Sequence, residues 1–491
     1  MGAGARPEWD LWGLGRSRCD DHWLHGLDGS AEELWRSLES LAEAFRPNSD
    51  DPQRILLIPK SPGVLIRGLI WANYWAQRSP LWLFLGNPDW AIAEQKILLD
   101  HICPHQVWGD RHNPWDGTVL PQSPGRPNGG DFLDPSRSYV GISTGGSSGT
   151  LRFAMHSWES LWSAVTGFRE YFDPESDHGR IHSFCTLPLF HVSGLMQFLR
   201  SAWSGGQFQL GCYPKAPAPI YPALAWSRPD ALASPGVPQG FISLVPTQLA
   251  RLLDQPQAIA WLRQFRVILV GGAPAWPDLL ARSRQARLPL APTYGMTETA
   301  AQVATLKPDA FLKGQAGVGR PLPHVTLHLT PQTAEPIRLS TSALAVGYWP
   351  GSAIAPDLPS HPPFQWMTGD LGRLDEAGYL SILGRRDDTI LSGGENVMPQ
   401  EVEAAILATG WAADVCVVGL PDPEWGQRVA ALWVPRTDDE VPSLEQWQGL
   451  LGDRLSRYKH PKIWRVVPRI PRNNRGKLNR AAIAQWFQAG Q

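Results

Sequence analysis

The chain has 491 residues, of which 43% are hydrophobic and 18% charged, with a formal net charge of −2. That length calls for roughly two to four domains, and the near-neutral charge gives no electrostatic case for nucleic acid or an anionic membrane. With five scattered cysteines (Cys19, Cys103, Cys185, Cys212 and Cys416), no CxxC pair, no apolar signal core and no apolar run long enough to span a membrane, a cytoplasmic protein without zinc or disulfides is expected.

The first element expected is an amphipathic helix over residues 31–45. A buried strand at 54–59 (RILLIP), a helix at 63–77 and a second strand at 81–85 follow, a rhythm that predicts an α/β layer architecture. Residues 104–137 are polar and rich in Pro and Gly, and read as a surface excursion. The β-rich run 138–142 then opens onto STGGSSGTLRFAMH, residues 143–156. Its first eight positions hold three glycines and five hydroxyl residues, a composition that lets backbone N–H groups and short donors approach phosphate oxygens. No Gly-Lys-Ser/Thr closes it, so it is not a Walker A loop, and the same composition also fits a flexible linker.

After this loop a helix is expected over 158–172 and a strand over 182–187, followed by PLFHVSGLM (188–196). Short apolar strands at 241–245 and 266–270 come next, the second running into Gly271, Gly272 and Ala273. Residues 288–292 lead into YGMTET, 294–299. Ligands of parallel sheets sit beyond the carboxyl ends of strands, so small and polar loops at several such ends point to one shared site. From residue 317 the pattern turns antiparallel, with Val325, Leu327 and Leu329 alternating and two strands within 364–383 around a turn at 375–378.

Pro399 suits the first turn of a helix whose apolar face is Val402, Ala405 and Ile406. Strands near 415–419 and 429–434, and a helix over 444–455 that buries Trp447, Leu450, Leu451 and Leu455, read as a small α+β unit. A strand at 463–467 and a closing polar loop, PRNNRGKLNR, complete it. The expected fold class is therefore α/β. A large multi-layered N-terminal domain with parallel sheets and a β-rich part (1–386) precedes a small α+β C-terminal domain (387–491).

Five motifs stand in one order: the hydroxyl/glycine loop, YGMTET, TGD, GRRDD and a late Gly-Lys, with Asp370 fifteen residues before Arg385. From Ser143 to its end the chain thereby resembles the adenylate-forming superfamily of acyl-CoA synthetases, luciferases and carrier-protein adenylation domains. The resemblance implies that Ser143, Thr144, Gly145, Gly146, Ser147, Ser148 and Gly149 cradle the ATP phosphates. Arg152 stands where Lys is usual, which keeps the charge but not its compact geometry, and Leu151 stands where Pro is common. It further implies that Gly271, Gly272 and Ala273 floor the adenine and acyl groups beside Tyr294 and Gly295, and that Thr297 binds phosphate. Glu298 is implied to hold Mg²⁺, Asp370 and Arg385 to hold the ribose, and Lys477 to be the catalytic lysine. The small domain is implied to be mobile about a hinge at Asp387, turning Gly393 and Gly394 toward coenzyme A. Taken singly, Glu298 reads as an acid at a helix N-terminus, Asp370 as a turn aspartate and Lys477 as a surface lysine.

Within the superfamily, PLFHVSGL, APTYGMTETAAQV and ILSGGENVMPQEVE look most like the o-succinylbenzoate–CoA ligases of menaquinone and phylloquinone biosynthesis. STGGSSGTLRFAMH resembles the loop of photosynthetic-type members, where Arg replaces Lys. The implied reaction joins a carboxylic acid to ATP, then passes the acyl group to coenzyme A. The implied acid is an aromatic keto-dicarboxylate whose second carboxylate needs a donor in the pocket. His191 is the expected contact, with Ser193, Thr293 and Gln302 as lining; His191 reads equally well as a satisfied core histidine. Another aryl or medium-chain acyl-CoA ligase, an enzyme loading a carrier protein, and a catalytically silent nucleotide-binding protein are the alternatives. Retention of Glu298, Asp370, Arg385 and Lys477 together speaks against the last, and homo-oligomerisation is left open.

Overall fold

The computed structural model describes residues 9–18, 23–25, 31–44, 52–90, 92–109, 120–121, 132–145, 151–172, 179–211, 240–351, 354, 365–436, 442–472, 478 and 480–489. Among them are four sheets. The first runs, in spatial order, Gly347–Trp349, Leu151–Ser157, Tyr139–Gly145, Leu81–Leu85, Gln53–Leu57, Gln106–Trp108 and Leu120–Pro121. Its inner strands are parallel and its flanks antiparallel. Leu81–Leu85 (LWLFL) is buried throughout, as a parallel strand covered on both faces must be. Leu81, Leu83 and Leu85 join one core cluster with the helix Pro62–Ala76, whereas Trp82 and Phe84 join another behind the sheet.

The second sheet has eight strands among the described residues. Leu24–His25, Phe208–Leu210, Ser183–Cys185, Phe241–Leu244, Val267–Val270 and Leu290–Met296 are parallel neighbours. Ala301–Thr305 and Arg320–Pro321 close it antiparallel. Four antiparallel strands (Val325–Leu327, Glu335–Thr341, Gln365–Leu374 and Leu380–Arg385) make the third. After Arg385 a single 3₁₀ turn, Arg386–Asp388, leads into the fourth sheet, built from Ile390–Ser392, Glu395–Val397, Ala412–Asp422, Gly426–Pro435 and Ile463–Val466. The helix Pro399–Leu407 packs on this sheet through Val402 and Ile406, and Leu444–Gly452 packs through Trp447 and Leu451.

Three expectations are corrected. The excursion at 104–137 contains the strand Gln106–Trp108, and Trp108 is buried edge-on against Trp71, because one large aromatic outweighs polar neighbours. The stretch 143–156 is mostly a hairpin: Tyr139–Gly145 pairs with Leu151–Ser157, and only residues 146–150, outside the described residues, lie between. The closing polar loop gives way to a helix, Arg480–Ala489, which buries Ile483 and Phe487.

Candidate active site

Strand alternation decides which side chains reach the site. On Leu151–Ser157, Phe153 and Met155 enter the core with Trp349 and Phe84. Period-two geometry therefore sends Arg152, Ala154 and His156 to the other face. Tyr348 lies opposite Ala154, and Thr144 opposite Arg152, so both share that face. Ser143 pairs with Phe153 and is 2% exposed on the core side, away from Arg152.

This face meets the turn Thr297–Thr299. The His156 Nε2 lies 2.8 Å from the Thr297 carbonyl oxygen, so that nitrogen carries the proton and donates it. Burial keeps the ring neutral and pushes its pKa down to about 4. The Tyr348 hydroxyl donates to Glu298 Oε1 at 2.8 Å, and the Ala345 N–H donates to the Glu298 carbonyl at 2.8 Å. Glu298 Oε2 has no hydrogen-bond partner among the described residues, and no group of three His, Cys, Asp or Glu side chains gathers there to chelate a metal. One carboxylate oxygen beside an incoming triphosphate suits Mg²⁺, which keeps most of its waters.

The strand Leu290–Met296 carries Tyr294 and Gly295 past a bulge. A Cβ at Gly295 would fall 1.8 Å from the Ala301 carbonyl oxygen, so only glycine fits. The Tyr294 hydroxyl donates to Asp370 Oδ2 at 2.7 Å, and Asp370 sits directly opposite Arg385 with Nη1 and Oδ1 3.5 Å apart. Desolvation, and then the partner carboxylate, raise the pKa of both Tyr294 and Tyr348. The positive charge of Arg385 opposes both shifts, and that of Arg152 opposes the shift at Tyr348. One guanidinium therefore lies within electrostatic reach of both phenols, one bonded to Asp370 and the other to Glu298.

Gly271 and Gly272 follow the carboxyl end of Val267–Val270, with Ala273 half-buried after them, and Gly272 adopts a φ of +79°. A Cβ at Gly271 would approach Thr293 Cγ2 to 2.8 Å. The Thr293 hydroxyl is committed to the strand pair, donating to the Ala304 carbonyl at 3.0 Å and meeting Thr305 Oγ1 at 2.8 Å. His191 occupies the N-cap position of the helix Val192–Ser204, edge-on to Phe190, and Ser193 lies in the first turn.

Arg200, on the same helix, was missed by the sequence reading. It is 2% exposed, lies 3.8 Å above the Phe168 ring and donates to Gln302 Oε1. Its Nε has no partner, and no carboxylate pairs with it among the described residues. Burial brings its pKa down to about 9. The signal was an arginine set within the largely apolar LMQFLRSAW. His324 packs against Gly167 nearby with neither ring nitrogen bonded; burial, and then the Arg200 charge, lower its pKa to about 4.

Asp387 lies in the turn Arg386–Asp388, its Oδ2 3.7 Å from Arg385 Nη2. Gly393 and Gly394 form a tight turn with φ of +60° and +82°, against which Trp425 packs. Gly146, Ser147, Ser148, Gly149 and Lys477 lie outside the described residues.

A family model described as AMP-binding enzyme matches residues 100–340, and one described as AMP-binding enzyme C-terminal domain matches residues 401–477. The chain is 32% identical over 352 residues to a 2-succinylbenzoate–CoA ligase of Bacillus licheniformis, covering 70% of this chain and 68% of that protein. A 2-succinylbenzoate–CoA ligase of Geobacillus kaustophilus is 32% identical over 357 residues, with 70% and 68% covered. Among solved structures, the fold is similar to o-succinylbenzoate CoA synthetase from Bacillus subtilis in complex with its acyl-adenylate intermediate. The TM-score is 0.74 at 23% identity, covering 97% of this chain and 98% of that one. It is similar also to ATP-bound MatB from Rhodopseudomonas palustris, with a TM-score of 0.74 at 20% identity over 98% and 99% of the two chains. No described helix is long and apolar enough to cross a membrane.

Proposed function

This chain belongs to the family of AMP-binding enzymes, and on that footing we propose that it is an AMP-forming acid–thiol ligase that converts o-succinylbenzoate to its coenzyme A thioester. The observation that carries the reading is the pair of phenol–carboxylate hydrogen bonds, Tyr294 to Asp370 and Tyr348 to Glu298, with Arg385 within electrostatic reach of both phenols. Asp370 adds a carboxylate–guanidinium pair with Arg385, and Glu298 shares the surroundings of Tyr348 with the cation Arg152.

In this reading Asp370 accepts hydrogen bonds from the ribose hydroxyls, with Tyr294 fixing its second oxygen and Arg385 alongside. Arg152 and the Thr297 hydroxyl receive the phosphates, and Glu298 would hold Mg²⁺. When bound, the ion supplies charge neutralisation along the triphosphate. The substrate carboxylate attacks the α-phosphorus and pyrophosphate leaves. The nucleophile is already an anion, so no general base is needed, and Lys477 and Arg152 offset the charge gathering on oxygen. The coenzyme A thiol then attacks the acyl-adenylate carbonyl, gives up its proton and displaces AMP. A pivot at Asp387 separates the two steps by exchanging Lys477 for the Gly393–Gly394 turn.

The dicarboxylate is favoured by Arg200. A buried cation with no carboxylate costs several kcal/mol unless something compensates it. The second carboxylate of o-succinylbenzoate would do so, while its succinyl carboxylate faces the phosphates.

ATP–pyrophosphate exchange across a panel of acids tests the proposal. Exchange should rise with o-succinylbenzoate at least about 10²-fold above benzoate or medium-chain fatty acids, and adding coenzyme A should then yield the thioester. Exchange that ignores the acid, or that favours a monocarboxylate, contradicts it.

A further inference from the structure

We infer that Tyr348 is a positioning residue that fixes the Mg²⁺-holding carboxylate of Glu298 and keeps it from collapsing onto Arg152. This rests on the reading of Glu298 above, and it concerns a residue that no motif of the sequence singled out.

The placement of Tyr348 is set by its neighbour. Trp349 is 0% exposed, packs edge-on to Trp82 at 5.5 Å and Phe84 at 5.9 Å, and donates from Nε1 to the His101 carbonyl at 3.2 Å. With Trp349 anchored in the core, alternation turns Tyr348 to the opposite face of the strand Gly347–Trp349. There it lies opposite Ala154, whose small side chain leaves the phenol room to reach Glu298. Arg152 is two residues from Ala154 on the same face, hence a diagonal neighbour within reach of long side chains.

Glu298 is held twice by one short segment. The Ala345 N–H fixes its backbone carbonyl, and the Tyr348 hydroxyl fixes Oε1, leaving Oε2 without a hydrogen-bond partner among the described residues. A glutamate has three side-chain torsions, and ordering them for a metal costs entropy that a fixed phenol has already offset. Glu298 makes no ion pair among the described residues, although Arg152 shares its surroundings. Freed from the phenol, the carboxylate would pair with that guanidinium and so withdraw the metal ligand and the phosphate cation together.

The test is Tyr348→Phe, which keeps the ring and deletes one hydroxyl. Calorimetry should show ATP binding in the presence of Mg²⁺ weakened about tenfold, the scale of one hydrogen bond to a charged group. AMP binding, which needs no metal, should stay within about twofold, and the Mg²⁺ concentration for half-maximal ATP binding should rise by a similar factor to the ATP loss. A Tyr348→Phe/Glu298→Gln double variant should bind ATP no worse than Glu298→Gln alone, because the hydroxyl acts through that carboxylate. Equal loss of ATP and AMP binding, an unchanged Mg²⁺ requirement, or additive losses in the double variant would overturn the inference while leaving the ligase reading intact. Wild-type protein that binds ATP without regard to Mg²⁺ would remove both.

Discussion

The Tyr294 hydroxyl holds one oxygen of Asp370 at 2.7 Å while the strand pair sets the other 3.5 Å from Arg385, so the carboxylate is oriented before any ligand arrives. Asp370→Ala should therefore weaken both ATP and AMP by about 10–10² without unfolding the chain, since Asp370 belongs to no core cluster. Tyr294→Phe should cost less, about tenfold, because Thr368 Oγ1 still receives the Asp370 N–H at 3.1 Å and holds the turn. Calorimetric titration with AMP checks both; a Tyr294→Phe loss larger than that of Asp370→Ala would contradict this order.

Arg200 gives a prediction in which activity and stability move in opposite directions. Arg200→Met should raise the KM for o-succinylbenzoate by about 10², with the KM for ATP unchanged, because only the second carboxylate loses its partner. It should leave the Tm equal or higher, since an unpaired buried cation is replaced by an apolar side chain of similar reach. Steady-state kinetics and thermal melts read the two effects; a fall in Tm with an unchanged acid KM would make Arg200 purely structural.

His156 predicts a pH dependence of stability. Burial holds its pKa at about 4 against the ordinary 6.5 of histidine, so below pH about 6.5 the unfolded chain takes up a proton that the folded chain refuses. Its contribution to stability is complete above that pH and is lost progressively down to pH about 4, by on the order of 3 kcal/mol. His156→Gln keeps a donor for the Thr297 carbonyl but cannot titrate. Its Tm should fall less steeply than wild type between pH 6.5 and 4, whereas equal slopes would place the acid sensitivity elsewhere.

The two half-reactions should separate genetically. Lys477→Ala should slow pyrophosphate exchange by about 10²–10³, the usual scale for one preorganised charge contact. Asp387→Pro, with φ fixed in the turn Arg386–Asp388, should spare adenylate formation and block thioester formation. Equal loss of both steps in Asp387→Pro would count against a hinge there.

Much of this was legible in the chain because the relevant signals are local. The strand Leu81–Leu85 and the helix Trp158–Phe172 fall where their apolar patterns put them. The fifteen-residue spacing of Asp370 and Arg385 spans one tight turn at 375–378, so a hairpin brings them face to face across a bulge at Leu371/Gly372. Tyr348 and Arg200 were illegible for the opposite reason. Tyr348 reaches Glu298 from fifty residues away through sheet pairing, and Arg200 meets Gln302 across 102 residues. Neither carries a motif, and only tertiary packing gives them a role. The buried strand at Trp108 was hidden by its polar context, and the final helix by the polar run before it.

The most direct measurement is a single-turnover reaction with ATP, Mg²⁺, o-succinylbenzoate and coenzyme A, followed by mass spectrometry of the quenched mixture. The account predicts one o-succinylbenzoyl thioester and one AMP per turnover, with acyl-adenylate accumulating when coenzyme A is left out. Release of ADP in place of AMP, or a thioester formed with no adenylate on the way, would contradict it.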